Sequence, residues 1–348
     1  GGRRDELQLF GELCSVDWGT PDPEKARYLA SQGIPGVIDP RWHPGLPFRP
    51  AMFQEFRGEE LLAQALLKVS SGEAPRAYFL TGHGEPALDG SEPTDLSRLS
   101  AALERDGFEL RSWDPLAQPG VPADCDVLAL IGAHQPYQAS TREAIQAWAE
   151  GGGRVIAAPD PSELHEQRTG GIVDLLAQGF GIVTRPGLVC QALIQFGGEK
   201  VDGNQQCAWL LIDERGFQPG HPLTEPLRMR GRRVQFTLTP SFEGGFQTES
   251  GVVLPLITTP AEAWRDLEPY DFRFNPAKGE KRDRQTLVTT KQLRSVKGAD
   301  GSVKQGRILA LASAYFFDND SIDVNRDFVL NAFNWMAERD YRLSVRPL

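Results

Sequence analysis

Residues 76–85 read Arg-Ala-Tyr-Phe-Leu-Thr-Gly-His-Gly-Glu, an apolar run that ends in a glycine-rich turn. Apolar residues without alternation are typical of a strand whose two faces are both buried in a parallel sheet. The glycines that follow permit a tight turn and a close approach of the backbone to neighbouring groups. The stretch therefore predicts a buried parallel strand over 76–81 with a turn at its carboxyl end.

The segments that follow combine further strands with amphipathic helices. Strands are predicted at 108–113, 126–131 and 154–158, and helices at 95–106 and 140–150. The resulting order β-α-β-β-α-β predicts an α/β fold in which a parallel-rich sheet carries helices on both faces.

The rest of the chain is less regular. We predict helices at 171–178 and 325–339, strands at 208–212, 234–238, 252–258, 307–312 and 341–345, and an exposed loop at 269–284. The stretch around 187–305 is expected to be an irregular insertion in the α/β domain.

The first 74 residues are predicted to form a separate small α/β unit. Strands are predicted at 11–18 and 36–39 and helices at 23–32 and 59–69, and Ser-Ser-Gly-Glu at 70–73 ends the last helix. The pattern predicts two domains, 1–74 and 75–348.

Composition and missing motifs exclude several classes of protein. The chain has 348 residues and a net charge of −10, which disfavours binding to the phosphates of a nucleic acid. It contains neither a GxxxxGK[ST] phosphate loop nor a GxSxG nucleophile elbow, so it is neither an ATPase of that type nor a serine hydrolase of that type. No run of about 18 apolar residues is present. The opening Gly-Gly-Arg-Arg is typical of a tag remnant, so a membrane segment outside this sequence is compatible with it.

The four cysteines, at positions 14, 125, 190 and 207, form no CxxC pair and no zinc-ligand spacing. They are interpreted as buried thiols, with a bridge between Cys190 and Cys207 as the alternative in an oxidising compartment. No metal and no cofactor is expected.

The turn after the first buried strand is the candidate ligand-binding crevice. It contains Gly82, His83, Gly84 and Glu85, and Asp160 follows a strand predicted to end at the same edge. Ligand sites of open α/β sheets lie beyond the carboxyl ends of the strands, where glycine amides can hold an anion and His83 and Glu85 could exchange a proton. The alternative is a structural turn whose His and Glu bond to neighbouring loops, with Asp160 a plain turn residue.

Two polar stretches near the end of the chain receive structural interpretations. Asp318-Asn319-Asp320 with Asp323 is similar to the beginning of a calcium loop, but the Gly and Glu required at the sixth and twelfth positions are absent. Asn325-Arg326-Asp327 is interpreted as the cap that opens the last helix.

Four stretches together resemble the ABC-transporter auxiliary family, an ABC-type uncharacterised transport system domain also called the GldG or gliding-motility type. They are 66–85, 122–131 with 153–161, His221-Pro222-Leu223, and 325–347. The resemblance runs from about residue 59 to the end, in the family's order.

The resemblance implies a membrane-anchored protein whose soluble part faces the periplasm and works with separate permease and ATPase subunits, and with cell-envelope proteins as further candidate partners. It also implies a thioredoxin-like unit followed by a domain similar to class I amidotransferases, of flavodoxin-like fold, without the catalytic Cys. The expected function is a non-enzymatic scaffold or ligand-binding accessory subunit, with no catalytic residues carried over. The alternative is a hydrolase-like enzyme that uses the turn of His83 and Glu85, with Asp160 as a further candidate.

Overall fold

The computed structural model describes residues 14–17, 52–56, 74–166, 169–194, 197–248, 251–268, 271–297, 301 and 303–343. The chain divides into two compact units, Gly1–Glu73 and Ala74–Leu348. In the first unit, strands β1 (Cys14–Asp17) and β2 (Met52–Phe56) pair antiparallel. The helices predicted at 23–32 and 59–69 and the strand predicted at 36–39 lie outside the described residues.

The second unit contains the main sheet and its helices. Its strands are β3 (Arg76–Leu80), β4 (Glu109–Trp113), β5 (Val127–Ile131), β6 (Arg154–Ala158), β7 (Thr184–Arg185), β8 (Leu188–Cys190), β9 (Leu193–Ile194), β10 (Lys200–Val201), β11 (Trp209–Ile212), β12 (Val234–Thr237), β13 (Ser241–Phe242), β14 (Phe246–Thr248), β15 (Gly251–Thr258), β16 (Trp264–Asp266), β17 (Thr286–Lys297) and β18 (Val303–Leu311). Its α-helices are α1 (Ser97–Arg105), α2 (Ala139–Glu150), α3 (Pro161–His165), α4 (Ile172–Asp174), α5 (Glu225–Met229) and α6 (Ile322–Met336). One π-turn (Leu175–Gly179) follows α4, and 3-10 turns lie at Gln205–Ala208, Glu214–Gly216, Pro276–Lys278, Ala314–Phe316 and Asp340–Arg342. Among the described residues, no helix has the length and apolar character needed to cross a bilayer.

The strand order of the main sheet is flavodoxin-like. Its main path runs β14-β15-β17-β18-β6-β5-β3-β4, and the neighbours among β18, β6, β5, β3 and β4 pair parallel. Numbered in chain order, these five parallel strands stand 2-1-3-4-5, the doubly wound order of flavodoxin. The remaining strands, beginning with β17 beside β18, extend the sheet antiparallel. The predicted fold class is confirmed.

Both faces of β3, β5 and β6 are buried, as their continuous apolar sequences require. The edge strand β4 is mostly exposed, with only Trp113 at its end buried. Phe79 and Ala129 lie in one core with the apolar residues of α1 and α6, and Phe79 stacks on Phe333 of α6 with ring centroids 6.0 Å apart. Tyr78 and Leu128 lie in a second core with the apolar residues of α2. Because successive side chains of a strand point to opposite faces, one short segment supplies both cores.

Three predictions for the later chain need correction. The longest strand, β17, was not predicted at all. The last helix spans Ile322–Met336 and not 325–339, and residues 340–342, placed partly in a predicted strand at 341–345, form a 3-10 turn. Buried Arg342 holds that turn by donating to the backbone carbonyl of Asp106 at 3.0 Å. Residues 344–348 lie outside the described part of the chain.

Asn325 does not cap the last helix, which corrects its sequence interpretation. It lies inside the first turn of α6 and is completely buried. Its Oδ1 accepts the N–H of Gln235 at 2.7 Å, and its Nδ2 donates to the carbonyls of Gln235 and Phe316, each at 2.9 Å. The side chain therefore pairs with β12 as a neighbouring strand would, and connects this strand to α6.

We expect Asn325→Ala to lower the free energy of unfolding by about 2–3 kcal/mol, because three buried backbone groups lose their partner. Urea denaturation followed by tryptophan fluorescence measures this. Val324→Ala, on the exposed face of the same helix, is the matched control and should change stability by less than about 0.5 kcal/mol. Equal effects of the two substitutions would contradict the role assigned to Asn325.

Candidate functional site

The candidate site lies where the strand order reverses. β3 and β5 are neighbours in the sheet, but the chain leaves β3 towards α1 on one face and leaves β5 towards α2 on the other. Connections that depart to opposite faces leave a crevice between the carboxyl ends of the two strands. The turn at 82–85 and the loop at 132–137 form its two sides.

The turn at 82–85 brings His83 and Glu85 together. Gly82 and Gly84 have φ values of +102° and +81°, which a residue with a Cβ adopts only at a cost. This backbone folds the carboxylate of Glu85 back, so that Oε2 accepts the N–H of His83 at 2.8 Å. Oε1 lies 3.5 Å from Nδ1 of His83, and both side chains are 6% exposed.

The two loops of the crevice are joined by their backbones. The carbonyl of His83 accepts the N–H of His134 at 2.9 Å and that of Gln135 at 2.8 Å. The imidazole of His83 also meets the ring of Tyr137 edge-on, with centroids 4.8 Å apart. The backbone of His83 is therefore tied to the neighbouring loop, while its side chain lines the same crevice as the candidate ligand groups.

Asp160 follows β6, accepts hydrogen bonds at the beginning of a helix and faces the crevice. Its Oδ1 accepts the N–H of Ser162 at 2.7 Å and also the hydroxyl of Ser162, at the beginning of α3. Its Oδ2 lies 3.5 Å from Nε2 of His134, whose side chain is 55% exposed. The structure thus connects Asp160 to the loop at 132–137 through His134.

Sequence reasoning missed three residues of this site: His134, Tyr137 and Glu163. His134 follows buried strand β5 by three positions, so the rule that selected His83 after β3 would also have found it. Glu163 lies in the short helix α3, and its Oε1 accepts the N–H of Val173 at 2.9 Å. Nothing in the local sequence marks Tyr137, which is 2% exposed and whose hydroxyl has no hydrogen-bond partner among the described residues.

Burial dominates the electrostatics of the crevice. It raises the pKa of the Glu85 carboxyl, and the N–H and imidazole of His83 oppose this effect in part. Burial also raises the pKa of Tyr137 well above its ordinary value, with the nearby carboxylates of Glu85 and Glu163 adding to the shift. The crevice therefore presents covered carboxylates and one exposed imidazole. It can bind polar groups, whereas a proton transfer to a substrate would require the covered pair to become accessible.

Among the residues in the described ranges, no group of three or more His, Cys, Asp or Glu side chains is arranged to hold a metal ion. Cys125, Cys190 and Cys207 are free thiols, and burial raises the pKa of Cys190 and raises that of Cys125 to about 12.

Comparison with known proteins identifies one family. The family model described as an ABC-type uncharacterized transport system matches residues 74–339. A search of curated proteins finds no match to the sequence.

Solved structures with a similar fold include the N-terminal domain of mmIFT52, at 12% identity and a TM-score of 0.49, covering 75% of this chain and 97% of that one. A ThuA-like protein of Bacteroides uniformis shows 13% identity and a TM-score of 0.41, over 77% of this chain and 94% of that one. A ThuA-like protein of Parabacteroides merdae shows 11% identity and a TM-score of 0.39, over 79% and 93%. None of the three bears on function.

The close contact of the two loops predicts that a substitution of Gly84 by a larger residue destabilises the fold. A Cβ at this position would lie 3.1 Å from Cβ of His134, whereas one at Gly120, which also has a positive φ, would meet nothing within 4 Å. We expect Gly120→Ala to cost about 1 kcal/mol from backbone strain alone, and Gly84→Ala to cost clearly more, up to about 3 kcal/mol. Chemical denaturation measures both, and equal losses would show that the loops do not pack as described.

The raised pKa of Glu85 predicts a pH-dependent stability. The folded state holds the proton more tightly than the unfolded state, so this carboxyl disfavours folding increasingly as pH rises through its folded pKa. Glutamine carries no charge at any pH. The melting temperature of Glu85→Gln relative to the parent should therefore be more favourable at pH 8 than at pH 5. Glu143→Gln, on the exposed face of α2, should show no such trend; the same trend in both variants would contradict the assignment.

Proposed function

The chain belongs to the family described as an ABC-type uncharacterized transport system, and on this premise we propose that it is a non-enzymatic accessory subunit of a bacterial ABC transporter. The observation that carries the proposal is the family match, which covers 74–339 and therefore nearly the whole second unit. The sequence contains no phosphate-binding loop, so ATP hydrolysis is assigned to a separate ATPase subunit and passage through the membrane to a separate permease.

The proposal places the protein at the inner membrane, with the part described above on the periplasmic side and the anchor in segments outside this sequence. It also includes a role of the gliding-motility type, in which the accessory subunit contacts cell-envelope proteins. Both features rest on the resemblance carried by the ordered motif blocks at 66–85, 122–131 with 153–161, 221–223 and 325–347.

Within this role, the crevice at the carboxyl ends of β3, β5 and β6 acts as the ligand-binding part. His134 supports this assignment, because its imidazole is the most exposed group of the site and stands beside the buried carboxylate of Asp160. A buried charge next to an exposed polar side chain gives a ligand both a point of contact and an orientation. The same crevice also gives the transporter subunits a surface that can report whether a ligand is bound.

A hydrolase-like activity is the second candidate. It is favoured by the 3.5 Å separation of Nδ1 of His83 and Oε1 of Glu85 and by the raised pKa of that carboxyl. The accessory role is preferred, because both side chains are covered and Oε2 of Glu85 is already bonded to the N–H of His83.

The direct test uses the natural full-length protein in its own cells. Affinity purification after gentle detergent extraction should recover the permease and the ATPase encoded beside it, and deletion of its gene should abolish transport without lowering the amounts of those two proteins. His134→Ala and Asp160→Asn should reduce transport while the complex still purifies, and Glu214→Gln, at an exposed position outside the crevice, should have no effect. Recovery of the protein without either subunit would refute the accessory role. Loss of a hydrolytic activity in His83→Gln, with the complex unaffected, would favour the second candidate.

A further inference from the structure

A cavity of about 500 Å³ lies beside the crevice, on the face of the sheet covered by α1. Its walls are the ends of β3, β4 and β5, the loop at 85–89 and one side of α1. The volume is in the range of pockets that enclose small organic molecules. β4 is the last strand of the sheet on this side, so the cavity lies where the sheet ends.

The cavity combines an apolar body with polar side chains that, in the part of the chain that the structure describes, include no cation. Its apolar lining includes Phe79, Leu88, Leu96, Leu110 and Ile131. Its polar side chains are hydroxyls or carboxylates: Thr81, Glu85, Asp89, Ser100, Glu104 and Ser112. None of the described residues that line it is Lys, Arg or His. An anion would therefore meet three carboxylates without a compensating charge, while a cation would be stabilised.

Two of the three hydroxyls are already engaged in hydrogen bonds with the protein. Ser100 donates to the carbonyl of Leu88 at 2.7 Å and so holds the loop at 85–89 on α1. Thr81 lies 3.4 Å from the carbonyl of Trp113, to which its hydroxyl donates. By contrast, Oε1 of Glu85 accepts no hydrogen bond from the described residues, although its side chain is 94% buried. It lies 3.5 Å from Nδ1 of His83, beyond a good hydrogen-bond distance. A buried carboxylate oxygen of this kind gains most from a charged donor.

From this arrangement we propose that the cavity binds a small molecule with a cationic amine, whose nitrogen donates to Glu85 while its apolar body packs between α1 and the ends of β3, β4 and β5. The proposal deepens the ligand-binding role assigned above and rests on it. Glu85 belongs to both sites, because it contacts His83 in the crevice and is also one of the residues that line the cavity. Occupation of the cavity can therefore reposition the turn that carries His83.

The test uses three probes of nearly equal shape and different charge: 2-phenylethylamine, 2-phenylethanol and 3-phenylpropanoate. Isothermal titration with the full chain should show saturable binding of the amine, weaker binding of the alcohol and none of the carboxylate. Glu85→Gln keeps the side chain's shape and an acceptor for the N–H of His83, so it should weaken amine binding by about tenfold or more and leave the alcohol nearly unaffected.

A second variant fills the cavity from its exposed side. Ser112→Leu on edge strand β4 should abolish binding of both the amine and the alcohol, while Glu214→Gln is the control that should bind as the parent does. Tighter binding of the carboxylate than of the amine, absence of amine binding to the parent, or amine binding that survives both Glu85→Gln and Ser112→Leu would each overturn the proposal. Purification of the transporter complex from the same variants distinguishes a failure of the ligand assignment from a failure of the accessory role. Intact complexes without amine binding would refute the ligand assignment alone, and absent complexes would refute the accessory role.

Discussion

Five parallel strands ordered 2-1-3-4-5, of which β3, β5 and β6 are buried on both faces, are the constraint on which the remaining structure depends. Parallel strands cannot be joined by a tight hairpin, so each connection must cross a face of the sheet, and helices must cover both faces. Because β3 and β5 are neighbours whose connections depart to opposite faces, the chain cannot close the gap beyond their carboxyl ends. The crevice of His83, Glu85, His134 and Asp160 is a consequence of this order.

The turn that carries His83 in that crevice is held by hydrogen bonds to its backbone. The carbonyl of His83 receives two amides from the next loop, and its N–H is bonded to Glu85. Such contacts position the side chains at little cost in conformational entropy when a ligand binds. The same arrangement covers the side chains of His83 and Glu85, so a proton transfer to a substrate would require them to become accessible. It also places Glu85 between the crevice and the adjoining cavity, so a ligand in either would act on one carboxylate.

The parts of the fold that sequence could predict are those in which local pattern and tertiary burial agree. The apolar runs of β3, β5 and β6 could not remain exposed, and their spacing left room only for crossover helices. Strand β17 escaped prediction although its Thr and Val residues favour a strand, because its pairing partners cannot be recognised from the local sequence. In the structure Thr289 and Thr290 donate to carbonyls of the two flanking strands, at 3.0 and 2.9 Å, and Lys291 donates to Phe180 at 2.5 Å. These partners lie far away in the sequence, so no local pattern contains them.

The residues of the site also divide into those that the local sequence indicates and those that only tertiary packing brings there. His83, Glu85 and Asp160 were found because they follow strands that could be recognised, and His134 follows a strand in the same way. Tyr137 and Glu163 are brought to the crevice by the path of the loops, which depends on tertiary packing. Asn325 was noticed in the sequence but given the wrong role. An Asn near the beginning of a helix is commonly a cap, whereas here its side chain bonds to the backbone of β12.

The central claim is that the carboxyl edge of the parallel sheet is the functional surface of a transporter subunit. Hydrogen–deuterium exchange of the natural protein, alone and in the purified transporter complex, tests this claim most directly. The account predicts slower exchange in the complex for peptides covering 81–89, 132–138 and 159–163, with little change at the opposite edge near 150–154 and 303–307. Slower exchange at the opposite edge alone, with the three loops unchanged, would contradict it.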